Sequence, residues 1–174
     1  ICFIVSYNGC QIINAQNGEI LFERRINPEM LPYLEKKAHK NGFAIFTYHD
    51  DTLLTDSPNN EHIRTEAKLN NLKIIKEEDF SIAIDFAPCK CMLVSDDEEA
   101  LTGLEEHWKR RLNGTLDVFR SEPYFLEVVP CGIDKANTLG ALLSHLNITR
   151  EEVIAIGDGV CDVNMRSEER RVGK

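Results

Sequence analysis

The sequence predicts an α/β protein with an α+β domain inserted into it, and two observations support this prediction. Short runs that are apolar throughout lie near both ends of the chain, at residues 1–5 and 153–156, and such runs are typical of buried parallel strands. Between them the apolar pattern alternates between strands and helices in mixed order, which is typical of a separate α+β domain.

The N-terminal end predicts a strand, a turn and a hairpin. Residues 1–6 form a buried strand, because their apolar run is nearly continuous. Asn8-Gly9 marks the turn that follows it. Residues 11–26 form the hairpin, with Gln16-Asn17-Gly18 at its tip.

The middle of the chain predicts alternating helices and strands. Residues 28–40 form a helix because apolar residues recur there at helical spacing, and Asn41-Gly42 ends it. Ser95-Asp96-Asp97-Glu98 has the pattern of a capping box, which opens a helix that ends near Leu112. The other predicted elements are a helix at 60–71 and strands at 43–48, 52–55, 89–95, 115–120 and 124–129.

The C-terminal end predicts a helix, a short turn and a strand. The helix begins at Lys135 and carries four leucines on one face: Leu139, Leu142, Leu143 and Leu146. Thr149 and Glu152 predict a second capping box. The strand at 153–156 ends at Gly157-Asp158-Gly159, and ligands of open α/β sheets bind at that end of a strand.

The composition excludes several classes of partner. The 174 residues carry a formal net charge of −9, which argues against a nucleic-acid backbone or an anionic membrane as the main partner. No apolar run reaches the ~18 residues that a membrane span needs. The six cysteines show no disulfide framework, so we expect reduced thiols and a cytoplasmic location. Cys89 and Cys91 are interpreted as alternating strand positions rather than a metal site.

Two aspartates near the C-terminal end are candidate metal ligands. Asp158 follows the apolar strand, and Asp162 stands four residues later, so both carboxylates face one site if a helix starts there. Two carboxylates with water suit Mg²⁺, and the glycines beside Asp158 let the backbone approach a ligand closely. The alternative is an acidic turn at a strand end.

Lys135 is a candidate phosphate ligand. It lies in the first turn of its predicted helix, where the helix dipole disfavours a cation. This position is explained if Lys135 joins the helix N–H groups in holding a phosphate. The alternative is an exposed surface lysine.

Three segments carry a family resemblance. They are Tyr7-Asn8-Gly9-Cys10, the run FLEVVPCGIDK at 125–135 and the run IAIGDGVCDVNM at 154–165. In order and spacing they resemble the Cof-type branch of the haloacid dehalogenase superfamily over residues 1–165. The resemblance implies a partial Rossmann-like core at 1–26 and 122–165, with an inserted α+β cap of the C2B type at 27–121.

The resemblance also implies a function. It implies a Mg²⁺-dependent phosphatase of small phosphorylated metabolites that works through an aspartyl-phosphate. Lys135 would hold the substrate phosphate and the nucleophile, and Asp158 would bind Mg²⁺ with Asp162 close behind it. Asn8 and Cys161 would contribute to the phosphate site, and the cap would select the substrate.

Two departures from the family pattern matter. The family has Asn where this chain has Cys161, and a thiol is a poor hydrogen-bond donor, which puts phosphate binding at that position in doubt. The Asp-x-Asp segment that supplies the nucleophile would precede residue 1. We therefore expect an N-terminally truncated fragment without phosphatase activity of its own.

Other interpretations concern the tail and the function. Residues 166–174 break the apolar pattern after Met165 and resemble a translated sequencing adapter, so we expect an artefactual tail. One alternative function is a non-catalytic phosphate- or nucleotide-binding α/β protein, which would never have had a nucleophile. Another is a phosphosugar mutase, although the predicted cap shows no arginine cluster to hold a bisphosphate.

Overall fold

The chain divides into two compact units. A computed structural model describes residues 2–157, 162 and 165. One unit, here called the terminal unit, comprises residues up to Arg24 and from Gly132 onward. The other, the central unit, is Arg25–Cys131.

The terminal unit begins with a three-stranded antiparallel sheet in the order β1-β2-β3. Its strands are β1 (Phe3–Ser6), β2 (Gln11–Asn14) and β3 (Ile20–Glu23). A turn, Tyr7–Gly9, joins β1 to β2. The strand, the turn and the hairpin predicted for this segment are therefore confirmed.

The central unit contains a six-stranded mixed sheet and four helices. The strand order is β6-β5-β4-β7-β9-β8, and every pair is antiparallel except β5 with β6. The helices are α1 (Leu31–Lys40), α2 (Glu61–Leu69), α3 (Phe80–Ala83) and α4 (Glu98–Arg111). The strands are β4 (Ala44–His49), β5 (Thr52–Thr55), β6 (Lys73–Lys76), β7 (Cys91–Val94), β8 (Leu116–Glu122) and β9 (Phe125–Pro130).

Each face of this sheet has its own hydrophobic cluster. Helices α1 and α4 contribute Leu34 and Trp108 to the cluster that contains Ile45 of β4. Helix α2 contributes Ile63 to the cluster that contains Phe46 and Phe125. Alternate residues of β4 thus point to opposite faces, as the pleat of a strand requires.

The boundary between the units differs from the predicted one. The sequence placed the end of the inserted domain after residue 121, but strand β9 pairs with β7 on one side and β8 on the other. Because both partners belong to the central sheet, β9 belongs to it as well. The chain leaves the central unit after Cys131.

The terminal unit continues with helix α5, Lys135–Leu146. The Asp134 carboxylate caps it by accepting the Asn137 N–H at 2.7 Å. The predicted capping box at Thr149 is confirmed, since the Glu152 carboxylate accepts the Thr149 N–H at 2.9 Å. No helix among the described residues is long and apolar enough to cross a membrane.

Two strands that the sequence predicted to be buried differ in the structure. In β1, Ile4 is 50% and Val5 37% exposed, so the apolar run predicted to be buried is only partly covered. Residues 153–156 form no strand, and Ile154 and Ile156 are 84% and 89% exposed. An apolar run becomes a strand only where a neighbour accepts its backbone hydrogen bonds, and no described strand pairs with it.

Two local predictions in the central unit were wrong. The cap of α4 is Asp97 rather than Ser95, because the Asp97 carboxylate accepts the Ala100 N–H at 2.9 Å. Ser95 instead accepts the N–H of Asp97 itself. Cys89 lies outside β7, so only Cys91 of this pair is a strand residue.

Candidate functional site

An ion pair joins two of the predicted site residues. The Nζ of Lys135 lies 2.7 Å from Oδ1 of Asp162, and the two side chains are 30% and 9% exposed. The residues are far apart in sequence but both belong to the terminal unit. The structure therefore brings the predicted phosphate ligand and a predicted metal ligand together.

The start of α5 explains why a lysine is tolerated there. A cation in the first turn of a helix is opposed by the helix dipole. Two carboxylates offset this effect: Asp134 caps the helix, and Asp162 pairs with the ammonium. Lys135 is thus the first residue of α5, where the free N–H groups of the helix favour an anion, while its ammonium pairs with Asp162.

Gly157 makes room for Asp162. A Cβ atom placed on Gly157 would lie 2.5 Å from Cβ of Asp162 and 2.7 Å from its Oδ2. Both distances are shorter than carbon–carbon or carbon–oxygen contacts allow. The glycine was predicted to let the backbone approach a ligand, and the structure shows it approaching the buried carboxylate that pairs with Lys135.

The Asn8-Gly9 turn packs against the start of the same helix. The Thr138 hydroxyl donates to the Gly9 carbonyl at 2.8 Å in a buried hydrogen bond. A Cβ on Gly9 would lie 2.8 Å from the Asp134 carbonyl oxygen. The turn that carries Asn8 and the helix that carries Lys135 therefore meet within the terminal unit.

Sequence reasoning missed Thr138 and Asp134. Asp134 was recognisable, since an aspartate directly before a helix is a common cap. Thr138 gave a weaker signal, namely a hydroxyl one turn into a helix, which usually bonds to its own backbone.

Of the two predicted metal ligands, the structure describes only Asp162. Asp158 and Cys161 lie outside the described residues, so their roles stay predictions. Within the part of the chain that is described, no three potential metal ligands gather. A single buried carboxylate with a second nearby in sequence still fits Mg²⁺, because this ion binds through one or two carboxylates and keeps several waters.

Comparison with known proteins identifies a family and a fold. A family model described as haloacid dehalogenase-like hydrolase matches residues 1–168. The crystal structure of a haloacid dehalogenase-like hydrolase from Bacteroides thetaiotaomicron is 43% identical, with a TM-score of 0.87 over 94% of this chain. This similarity confirms the predicted fold class.

Two curated relatives are more distant. An HMP-PP phosphatase of Cronobacter sakazakii is 26% identical over 171 residues, which cover 95% of this chain. A chloroplastic YBEY endoribonuclease of Arabidopsis thaliana is 28% identical over 124 residues, or 70% of this chain. The matched region spans only 59% and 21% of these two proteins, and 61% of the Bacteroides protein.

Proposed function

The chain belongs to the haloacid dehalogenase-like hydrolase family, and from this premise we propose that it carries the phosphate-anchoring and metal-binding part of a Mg²⁺-dependent phosphatase. The observation that supports this proposal most directly is the ion pair of Lys135 with Asp162. It brings together an ammonium in the first turn of a helix, which can bind a phosphate, and a buried carboxylate, which can bind Mg²⁺.

Each group has a defined task in this proposal. Lys135 binds the substrate phosphate through charge-assisted hydrogen bonds, and the first N–H groups of α5 add the field of the helix terminus. Asp162 and Asp158 hold the metal, and Asn8 and Cys161 line the phosphate site. When bound, Mg²⁺ neutralises the charge that develops on the phosphoryl oxygens.

The nucleophile motif expected of such a phosphatase does not occur in this sequence. Covalent phosphatases of the resembled type use an aspartate from an Asp-x-Asp segment, and no two aspartates in this sequence are separated by one residue. Losing a nucleophile costs on the order of 10⁶ in rate in covalent hydrolases. We therefore assign phosphate and metal binding, without turnover, to the residues of this chain.

The substrate class is a small phosphorylated metabolite, such as a sugar phosphate. The relative from Cronobacter sakazakii is named an HMP-PP phosphatase. The central unit acts as the cap that excludes water and selects the substrate. The net charge of −9 disfavours a nucleic acid or an anionic membrane as the partner.

Calorimetric titration tests the binding half of this proposal. Inorganic phosphate is titrated into the chain with and without Mg²⁺, and into the variants Lys135→Met and Lys36→Met. Lys36 is an exposed lysine of α1 in the central unit and is the matched control. We expect Mg²⁺-dependent phosphate binding that Lys135→Met abolishes and Lys36→Met leaves unchanged.

Turnover is tested separately with a panel of sugar phosphates and small diphosphates. The chain is assayed with Mg²⁺. We expect no release of phosphate above the rate measured without protein, because the sequence contains no Asp-x-Asp nucleophile. Turnover at an enzymatic rate would show that another residue acts as the nucleophile, whereas phosphate binding that depends on neither Mg²⁺ nor Lys135 would support a non-catalytic phosphate-binding protein.

A further inference from the structure

Three consecutive residues between β1 and β2 adopt left-handed backbone conformations. Tyr7 has φ 51°, Asn8 has φ 56° and Gly9 has φ 108°. Only the last is a glycine, and a side chain in this region crowds its own backbone. Such conformations persist where the surrounding structure holds them, and they concentrate at functional sites.

Thr138 is the residue that holds this turn. Its hydroxyl donates to the Gly9 carbonyl at 2.8 Å, and the threonine is only 2% exposed. A Cβ on Gly9 would lie 2.6 Å from that hydroxyl oxygen. The turn is therefore bonded to α5 and packed so closely against it that no side chain fits between them.

This hydrogen bond is not the one that a helical hydroxyl ordinarily makes. Thr102 and Ser144 donate to the carbonyl four residues earlier in their own helices, at 2.8 and 2.9 Å. Such local bonds contribute little beyond the helix itself. Thr138 bonds instead to a residue 129 positions away.

The bond also fixes the position of the predicted site residues. Thr138 lies one helical turn from Lys135, and its N–H donates to the Asp134 carbonyl at 3.1 Å. The Gly9 carbonyl is thereby linked through one side chain to the turn that presents the ammonium of Lys135. Asn8 directly precedes Gly9, so the same contact sets where Asn8 stands.

We propose that Thr138 is a positioning residue, whose buried hydroxyl locks the Tyr7–Gly9 turn onto the first turn of α5 and so sets the geometry of Asn8 relative to Lys135. This inference rests on the proposed function, since the geometry it sets is that of the phosphate site. Thr138 acts through these two residues and does not itself touch the phosphate.

The test compares three variants of the chain. Thr138→Val keeps the shape of the side chain and removes the hydroxyl, Thr138→Ser keeps the hydroxyl, and Ser144→Ala removes the local hydroxyl of the same helix. The amide resonances of Asn8 and Gly9 are followed by NMR. The affinity for inorganic phosphate with Mg²⁺ is measured by calorimetry.

We expect Thr138→Val to shift both amides and to weaken phosphate binding about tenfold, the order expected when one buried hydrogen bond is lost. Thr138→Ser should bind within about twofold of the parent, because serine offers the same donor. Ser144→Ala should change neither measurement. Parent-like amide shifts and affinity in Thr138→Val would overturn the proposal.

A second variant covers the case in which Thr138→Val does not fold. In Gly9→Ala the added methyl group would clash with the Thr138 hydroxyl, so the turn must move away from α5. This variant should weaken phosphate binding and shift the Asn8 amide as Thr138→Val does. An unchanged affinity in a folded Gly9→Ala variant would also refute the proposal. If the parent chain binds no phosphate, the proposed function fails, while the amide shifts still decide whether Thr138 holds the turn.

Discussion

Lys90, which directly precedes β7, forms an ion pair with Glu127 of β9 in the central unit. The Nζ of Lys90 lies 3.3 Å from Oε2 of Glu127, and the side chains are 13% and 5% exposed. Lys90 also lies over the ring of Tyr48, 5.1 Å from its centroid. Because burial strips water from both charges, each depends on the other for its stabilisation.

Removing one partner of this pair should destabilise the central unit. Lys90→Met leaves the Glu127 carboxylate buried without its ammonium, and we expect the free energy of unfolding to fall by about 3 kcal/mol. The double variant Lys90→Met/Glu127→Leu should recover most of that loss, since it removes both charges. Urea denaturation measures both effects.

An exposed ion pair provides the control. Lys73 and Asp51 are paired at 2.9 Å, but their side chains are 77% and 67% exposed. Lys73→Met should leave the urea midpoint unchanged, because exposed pairs are screened by water. A Lys90→Met variant as stable as the Lys73→Met variant would show that the buried pair contributes nothing.

Gly157→Ala should disrupt the candidate site without unfolding the chain. The added methyl group would lie 2.5 Å from Cβ of Asp162, so that the carboxylate must move away from Lys135. We expect the affinity for Mg²⁺, measured by calorimetry, to fall about 10- to 100-fold, the range observed when partners that orient a metal ligand are lost.

Gly140→Ala is the matched control for this substitution. Gly140 lies inside α5, and an added Cβ meets nothing within 4 Å. Alanine is the better helix former by about 1 kcal/mol, so this variant should be more stable and should bind Mg²⁺ as the parent does. Equal Mg²⁺ affinities in Gly157→Ala and Gly140→Ala would contradict the contact with Asp162.

The sequence predicted Lys135 and Asp162 as site residues but not their contact. A lysine at a helix start is unusual enough to be noticed. An aspartate four residues beyond Asp158 suggests that both carboxylates bind one metal ion. Their ion pair joins residues 27 positions apart. That distance depends on tertiary packing, which no local pattern encodes.

The elements that the sequence predicted best are those with local signals. Helix α5 begins at Lys135 as expected, and α1 ends before the predicted Asn41-Gly42 signal. The prediction of a strand at 153–156 was wrong because a strand needs a neighbouring strand to pair with, and an apolar run alone does not supply one. The cap of α4 was misplaced because Ser95 and Asp97 carry equally good capping side chains.

The cap of α4 can be tested directly. Asp97→Ala removes the carboxylate that accepts the Ala100 N–H and should lower the free energy of unfolding by about 1 kcal/mol, as the loss of a helix cap does. Asp97→Asn should retain most of this stability, because asparagine caps as well as aspartate. Ser95→Ala should cost less than Asp97→Ala in the same urea titration. The reverse order would restore Ser95 as the cap.

The thiol of Cys91 should make the stability of the central unit depend on alkaline pH. Burial raises the pKa of Cys91 to about 12, so the folded state holds its proton more tightly than the unfolded state does. The buried, protonated thiol contributes fully to the free energy of unfolding below the ordinary thiol pKa of 9.0. That stabilisation is lost as pH rises towards 12. Urea midpoints measured from pH 7 to pH 11 should therefore fall more steeply above pH 9 in the parent than in Cys91→Ala.

The burial of Cys91 can also be tested by thiol labelling. The exposed thiols of Cys2 and Cys131 should react with iodoacetamide at pH 8 in the native state, and Cys91 should react only after unfolding. Labelling of Cys91 in the folded protein at the rate of Cys131 would show that this strand residue is not buried.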